Sequence, residues 1–182
     1  MAAPAHAPAL AVSHYPADRS EPVLERSIGD ALRDAAARWH QRPALIEGAA
    51  DRGARRRWSF SALLADSEQV ARAIAARFAP GEHIAIWSAN CPEWALIEFG
   101  AALAGVTLVT VNPAYLANEL AFVLKQSQAS GVFVQPTYRD RDLLAVVEQV
   151  RSELPQLREV IPVSSLAEFA SSAGRDRALP RI

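Results

Sequence analysis

The sequence predicts an α/β fold, a mainly parallel sheet with helices on both faces. Three observations carry that expectation. Between residues 60 and 163, short apolar runs alternate with segments whose apolar residues recur at helical spacing, the pattern of strands joined by crossover helices. At the centre, residues 81–115 read as strand, loop, helix, strand and turn, a β-α-β unit with parallel strands and a right-handed crossover. Both strands of that unit lack polar alternation, so each is expected to be covered on both faces.

The elements follow in order. Residues 1–24 are rich in Ala and Pro without periodicity and read as a flexible leader. They lack the basic start and apolar core of a signal peptide and the early Arg series of a transit peptide. Residues 25–163 read as one partial α/β domain, and 164–182 as a weak helix and a polar tail leading to a missing remainder. Ser27, with Asp30 three residues on, opens a first helix with Ile28, Leu32, Ala35, Ala36 and Trp39 on one stripe. Pro43 ends it. Residues 44–47 and 55–60 form two strands around a Gly- and Asp-containing hairpin loop. The triplet Arg55, Arg56 and Arg57 reads as a charged edge more readily than as an anion site.

Ser59 or Ser61 caps the next helix, whose stripe is Leu63, Leu64, Val70, Ala71, Ile74 and Phe78. Pro80 and Gly81 stop it. In the central unit, Asn90 is expected to cap the helix, Glu93 to complete a capping box, and Pro92 to sit harmlessly in the first turn. Trp94, Ile97 and Phe99 do not share a face, so this helix should be buried on several sides. Gly105 stops it, and Asn112 and Pro113 turn the chain after the second strand. A helix over 118–126 turns Leu120, Val123 and Leu124 inward, and residues 131–135 form a strand closed by Pro136. Asp140 is expected to cap a helix bearing Leu143, Leu144, Val147, Val150 and Leu154. Residues 159–163 form the last strand.

Composition limits the function classes. A chain of 182 residues, 51% apolar, is globular in character and able to bury roughly 70% of its unfolded surface. A net charge of −1 gives no electrostatic case for nucleic acid or an anionic membrane. No apolar run reaches the ~20 residues that span a bilayer. The single cysteine, Cys91, forbids an internal disulfide and fits a reducing compartment, so a cytoplasmic location is expected.

The residues show no catalytic centre of their own. The loop Ala89-Asn90-Cys91-Pro92 holds no glycine where a dinucleotide-binding unit carries G-x-G-x-x-G. Lys125 is the only lysine and follows Leu124, which excludes a Walker motif; it reads as a solvated residue complementing a helix dipole. His6, His14, His40 and His83 have no partner at metal-ligand spacing. Cys91 lacks a base in the sequence, and Ser88, Ser59 and Ser61 lack a G-x-S-x-G setting. Glu93 and Glu98 are five apart and share no helix face. Trp39, Trp58, Trp87 and Trp94 read as core.

In combination, several segments carry a resemblance. Trp58-Ser59-Phe60 leads into Leu63-Leu64; then come GEHIAIW from Gly81, Asn90-Cys91-Pro92-Glu93-Trp94, GAALAG from Gly100, Val111-Asn112-Pro113-Ala114-Tyr115, and Glu119-Leu120. The chain resembles, over residues 27–163, the N-terminal part of the adenylate-forming (AMP-binding) acyl-CoA synthetases, nearest to medium- and long-chain fatty acyl-CoA ligases. The resemblance implies the large-domain fold of that family and a ligase that joins a carboxylate to ATP and then to CoA, with Mg²⁺. In the family, the phosphate loop with its Lys, the acidic residue for Mg²⁺ or ribose, and the C-terminal catalytic Lys all lie beyond residue 182. Lys125 occupies none of those settings, so no catalytic, cofactor-binding or metal-binding residue carries over. Asn90, Trp94, Asn112 and Tyr115 mark the resemblance, and each reads as cap, core or turn rather than ligand contact. The chain is therefore expected to be a piece of a larger ligase, inactive alone, with an exposed apolar patch that favours self-association. The alternatives are a non-catalytic interaction module derived from the family and an unrelated doubly wound binding domain, the latter disfavoured by the glycine-free loop.

Overall fold

A computed structural model describes residues 17, 20, 23–174 and 176–180. Most of the stretch read as a leader lies outside the described residues. The first helix, α1 (Ile28–Trp39), starts where expected: the Ser27 side chain accepts the Asp30 N–H at 3.1 Å. Its stripe is narrower than the sequence suggested. Leu32 and Ala36 are buried, but Ile28 and Trp39 at its two ends are exposed. Strands β1 (Pro43–Ile46) and β2 (Arg57–Ser59) make an antiparallel hairpin. The return strand is shorter than expected because Phe60 already begins α2 (Phe60–Ala75), capped by the Ser59 hydroxyl on Ala62 N–H.

The centre is a four-stranded, all-parallel sheet of β3 (His83–Trp87), β4 (Thr107–Val111), β5 (Gly131–Val134) and β8 (Glu159–Pro162), in the order β4-β3-β5-β8. The connecting helices are α3 (Pro92–Ala104), α4 (Ala117–Gln126) and α5 (Leu143–Val150), and α6 (Leu166–Ser171) follows β8. Sidedness follows from alternation along the strands. Ile84, Ile86, Phe133 and Ile161 join α1, α2, α3 and α6 in one core; Ala85, Trp87, Val132 and Val134 join α4 and α5 in the other. Strands β3 and β5 are buried on both faces, whereas β4 is an edge strand with Thr107 and Thr110 exposed, so the expected double cover holds for only one strand of the central unit.

Helix α3 is enclosed as the scattered aromatics implied: Glu98 is its one exposed residue over 92–104. It packs closely on α2 because Gly100 has no side chain; a Cβ there would lie 2.7 Å from Val70 Cγ1. Gly105 ends α3 in the left-handed region (φ 74°), where glycine carries no Cβ penalty.

Two caps differ from expectation. Cys91, not Asn90, is the N-cap of α3, and it makes no side-chain capping bond. Glu93 makes no capping-box bond to Asn90; its carboxylate is taken by Arg56 of the hairpin. Asp142, not Asp140, caps α5, accepting Ala145 N–H at 3.0 Å. The two-residue strands β6 (Thr137–Tyr138) and β7 (Arg141–Asp142) form a small hairpin that displaces the helix start by two residues.

Candidate functional site

Open α/β sheets bind ligands outside the carboxyl ends of their strands, where neighbouring strands send their connections to opposite faces. Here that point lies between β3 and β5, since β3 leads to α3 on one face and β5 to α5 on the other. The residues at this switch point are Ser88, Ala89, Asn90 and Cys91 after β3, and Gln135 and Pro136 after β5.

The Gln135 carboxamide closes the crevice. Its Oε1 accepts Ala89 N–H at 2.9 Å and lies 3.2 Å from Ser88 Oγ, and Gln135 N–H donates to Trp87 O at 3.0 Å. Ser88 is buried, and its one hydroxyl proton is shared between Ala89 O at 2.8 Å and Gln135 Oε1, with Cys91 Sγ at 3.7 Å. These are positioning contacts. Among the described residues no imidazole meets Ser88 or Cys91, and the one carboxylate that Cys91 contacts, Glu93, is already bound by Arg56. His83 sits at the other end of β3, roughly 17 Å from Ser88 at ~3.3 Å per residue, with Nδ1 on the Ser127 carbonyl.

The turn after β4 is built by neighbours of the same loop cluster. The buried Trp87 indole donates to Asn112 O at 2.9 Å, and Asn112 Oδ1 accepts Ala114 N–H at 2.9 Å, an Asx turn. Arg141 donates to Tyr115 O at 2.9 Å and Pro113 O at 3.0 Å, so the β6–β7 hairpin clamps the turn. Trp94 and Tyr115 are half-buried against the two cores. Of the four residues that mark the resemblance, Asn112, Trp94 and Tyr115 thus hold turn and core positions, while Asn90 is exposed.

Arg56 bridges the hairpin to the start of α3. It donates to Glu47 at 3.0 and 2.8 Å and to Glu93 at 2.5 and 3.3 Å. The triple-arginine stretch is therefore more than a charged edge, since its middle member joins two elements. Hydrogen bonds that Arg56 donates to Glu47 and Glu93 raise its pKa above its ordinary value. The Arg56 side chain lowers that of Glu47. Glu93 is pushed up by burial, but its bonds to Arg56 and to its own N–H leave it below the usual carboxylate value. Glu98 is exposed on the same helix, and the two glutamates form no acid–base pair.

Two open clefts flank this bridge. One, of about 550 Å³, lies between the hairpin (Leu45, Ile46, Glu47) and the switch loop (Asn90, Cys91, Pro92). The other, of about 430 Å³, has Arg56, Asp66 and Glu93 at its polar side and Leu96, Val163 and Leu166 at its apolar side. Both fall within the size range of small-molecule sites. Among the described residues no three His, Cys, Asp or Glu gather to hold a metal ion. Lys125 is exposed in the last turn of α4, which runs back toward the amino end of the sheet, away from both clefts. Gln135, Arg141 and the pairing of Arg56 with Glu93 were not legible in the sequence: each acts on a partner 26 to 47 positions away.

Comparison with known proteins gives this arrangement a context. The family model described as AMP-binding enzyme matches residues 32–179. The chain is 28% identical over 152 residues to the mitochondrial medium-chain acyl-CoA ligase ACSF2 of Danio rerio, an alignment covering 83% of this chain and 24% of that protein. It is 28% identical over 161 residues to the acyl-CoA ligase SID4 of Ajellomyces capsulatus, covering 85% and 26%. The fold matches the N-terminal domain of FACL13 from Mycobacterium tuberculosis (TM-score 0.74, 24% identity, 86% of this chain and 39% of that one). It also matches a long-chain-fatty-acid-CoA ligase, FadD1, from Archaeoglobus fulgidus (TM-score 0.79, 20% identity, 93% and 34%). The chain thus spans about a quarter of the length of these two curated relatives. Among the described residues no helix is long and apolar enough to cross a membrane.

Proposed function

The chain belongs to the AMP-binding enzyme family, as an N-terminal part of an acyl-CoA ligase, and from that premise we propose that it serves a fatty acyl-CoA ligase as scaffold. The reaction proposed for the whole ligase has two steps. A fatty-acid carboxylate attacks the α-phosphorus of ATP·Mg²⁺, forming acyl-AMP and releasing pyrophosphate. The CoA thiol then adds to the acyl carbonyl and AMP leaves, giving acyl-CoA.

The observation that carries the scaffold reading is the carboxyl end of the sheet. The switch loop holds Pro92 and no glycine, Arg56 at the adjoining bridge is already bound by two carboxylates, and the only lysine lies at the opposite end. These residues do not fit a triphosphate, so no step of adenylation is assigned to them. What the chain contributes is a rigid wall: Gln135, Trp87 and Arg141 fix the three loops on which the rest of a ligase would rest. Its lone Cys91 accords with a cytoplasmic setting, although the ACSF2 relatives are named as mitochondrial.

The test has two arms. The 182-residue chain alone, given ATP, Mg²⁺ and a medium- or long-chain fatty acid, is expected to release no pyrophosphate above a no-protein control; release would overturn the scaffold reading. Residues 27–163 grafted in place of the matching segment of the Danio rerio ACSF2 are expected to keep fatty-acid-dependent AMP formation. A graft that folds but does not turn over would favour the non-catalytic interaction module instead.

A further inference from the structure

We propose that the β1–β2 hairpin is a strap, hinged on α2 and latched by Arg56 onto Glu93, whose grip sets access to the switch loop at Cys91. The hinge is the base of the hairpin. Ser59 closes β2 and also caps α2, Phe60 N–H donates to Arg42 O at 3.1 Å, and the Ser61 hydroxyl donates to His40 O at 3.0 Å. Ala44, Leu45 and Trp58 pack on the core beneath. The register shifts between Pro43 and Leu45, and an irregularity of this kind is where a two-stranded ribbon bends.

Beyond that shift the hairpin parts from the body. Among the described residues neither β1 nor β2 pairs with a strand of the parallel sheet. Ile46 is exposed, and Ile46, Glu47 and Gly48 stand across an open cleft from Asn90, Cys91 and Pro92. Arg56 crosses to α3, donating to Glu93 at 2.5 and 3.3 Å. Its other bonds stay inside the hairpin: Glu47 N–H donates to Arg56 O at 3.0 Å, and the guanidinium donates to the Glu47 carboxylate. The outer hairpin is thus one unit, tied to the start of α3 through a single side chain.

Charge gives this tie two directions. One guanidinium holds a carboxylate from each side, and both carboxylates lie below their usual value, so both are ionised at neutral pH. With Arg56 withdrawn or screened, Glu47 and Glu93 face each other as like charges and push the two sides apart. The same two glutamates therefore favour closure or opening according to the state of one arginine. The Arg56 side chain is 48% exposed, so salt reaches it. Both ends of the latch lie between residues 47 and 93. It is made within the chain and depends neither on the ligase reading nor on what else borders the cleft.

The experiment uses Cys91 as reporter, because it is the one thiol of the chain and lines the cleft. Two neutral reagents are compared, N-ethylmaleimide and a maleimide bearing a short polyethylene glycol chain. Both react with the thiolate, so the ratio of their rates cancels any change in thiol acidity and reads access alone. Arg56→Gln is expected to raise the bulky-to-small ratio about two- to fivefold, the change in population that a part-exposed ion pair commands. Arg56→Lys, which keeps the charge without the fork, should give back part of the wild-type value. In the wild type the ratio should rise with sodium chloride between about 0.05 and 0.5 M; in Arg56→Gln, where only repulsion is left to screen, it should not. A ratio that Arg56→Gln leaves unmoved would overturn the proposal. So would a rise accompanied by faster hydrogen exchange at Glu47 N–H, which would mean that the hairpin frays instead of swinging as a unit. If Arg56→Gln fails to fold, the salt series on the wild type decides: a rise supports the latch and a flat ratio overturns it.

Discussion

At the amino end of the sheet, Arg158 binds Glu82 at 2.8 and 3.1 Å and reaches the Arg77 carbonyl at 3.3 Å, so a charged pair ties β8 to the turn before β3. At the carboxyl end, the Arg56 bridge to Glu47 and Glu93 is charged, but the joints between the loops after β3, β4 and β5 are not ion pairs: the Gln135 carboxamide to Ala89, the Trp87 indole to Asn112, and one arginine spent on carbonyls. The difference separates two ways of closing a sheet. Exposed ion pairs weaken with salt and contribute about 0–1 kcal/mol. Buried neutral hydrogen bonds resist salt and fix loop backbones without placing free charge in a crevice. The strand-end loops where α/β folds bind ligands are thus joined without ion pairs, and the end away from the clefts is held by screened charge.

The strongest test of this contrast is Trp87→Ala. The residue is fully buried, and its loss leaves a large cavity under the β4 turn. Unfolding free energy is expected to fall by about 3–5 kcal/mol, measured by urea denaturation. Trp87→Phe keeps most of the packing and removes the indole N–H, so about 1 kcal/mol is expected. Equal losses for the two variants would mean that the hydrogen bond, and not the packing, carries the joint. Next in size is Gln135→Leu, which removes the acceptor shared by Ala89 and Ser88, at about 1–2 kcal/mol. Its sharper signature is faster hydrogen exchange at Ala89 N–H. Gln135→Glu, which retains an acceptor, should restore protection at neutral pH. Unchanged exchange in Gln135→Leu would show that the crevice is closed by something other than this carboxamide.

How much of this was legible beforehand depended on reach along the chain. Strands and helices were, because apolar runs and helical stripes are local: β3, α3 and β5 fell within a residue or two of expectation. The Ser27 and Ser59 caps were legible because a hydroxyl and its N–H lie three positions apart. The capping box at Asn90 and Glu93 satisfied the same local pattern and was overruled by Arg56, 37 positions away, which offers Glu93 a charged bond where the box offers a neutral one. Asp140 lost its cap to Asp142 because the β6–β7 hairpin, too short to show in a hydrophobic pattern, uses the intervening residues. The loop latches at Gln135 and Arg141 were invisible for the same reason: one polar side chain after a strand has no periodicity. The exposed β4 edge required knowing the strand order, which the alternation of elements does not specify.

The smallest effect expected is also the one that most directly opposes the two ends. Hydrogen bonds from Arg158, with help from Ala79 N–H, pull the Glu82 pKa down from an ordinary 4.5 to about 2. A carboxylate held more acidic in the folded state binds fewer protons there than in the unfolded chain between those values. Its stabilisation is fully present above about pH 4.5 and is lost as pH falls toward 2. Because the side chain is 29% exposed and its partner 49%, solvent discounts the contribution to under about 1 kcal/mol. Glu82→Gln is therefore expected to flatten part of the acid limb of stability against pH and to leave the salt dependence at neutral pH weaker than wild type. Gln135→Leu should do neither, since no charge is lost at the carboxyl end. If both variants shifted the acid limb alike, the division between a charged end and a neutral one would fail, and proton-linked stability would have to be sought in the Arg56 bridge, whose Glu93 also lies below its ordinary value.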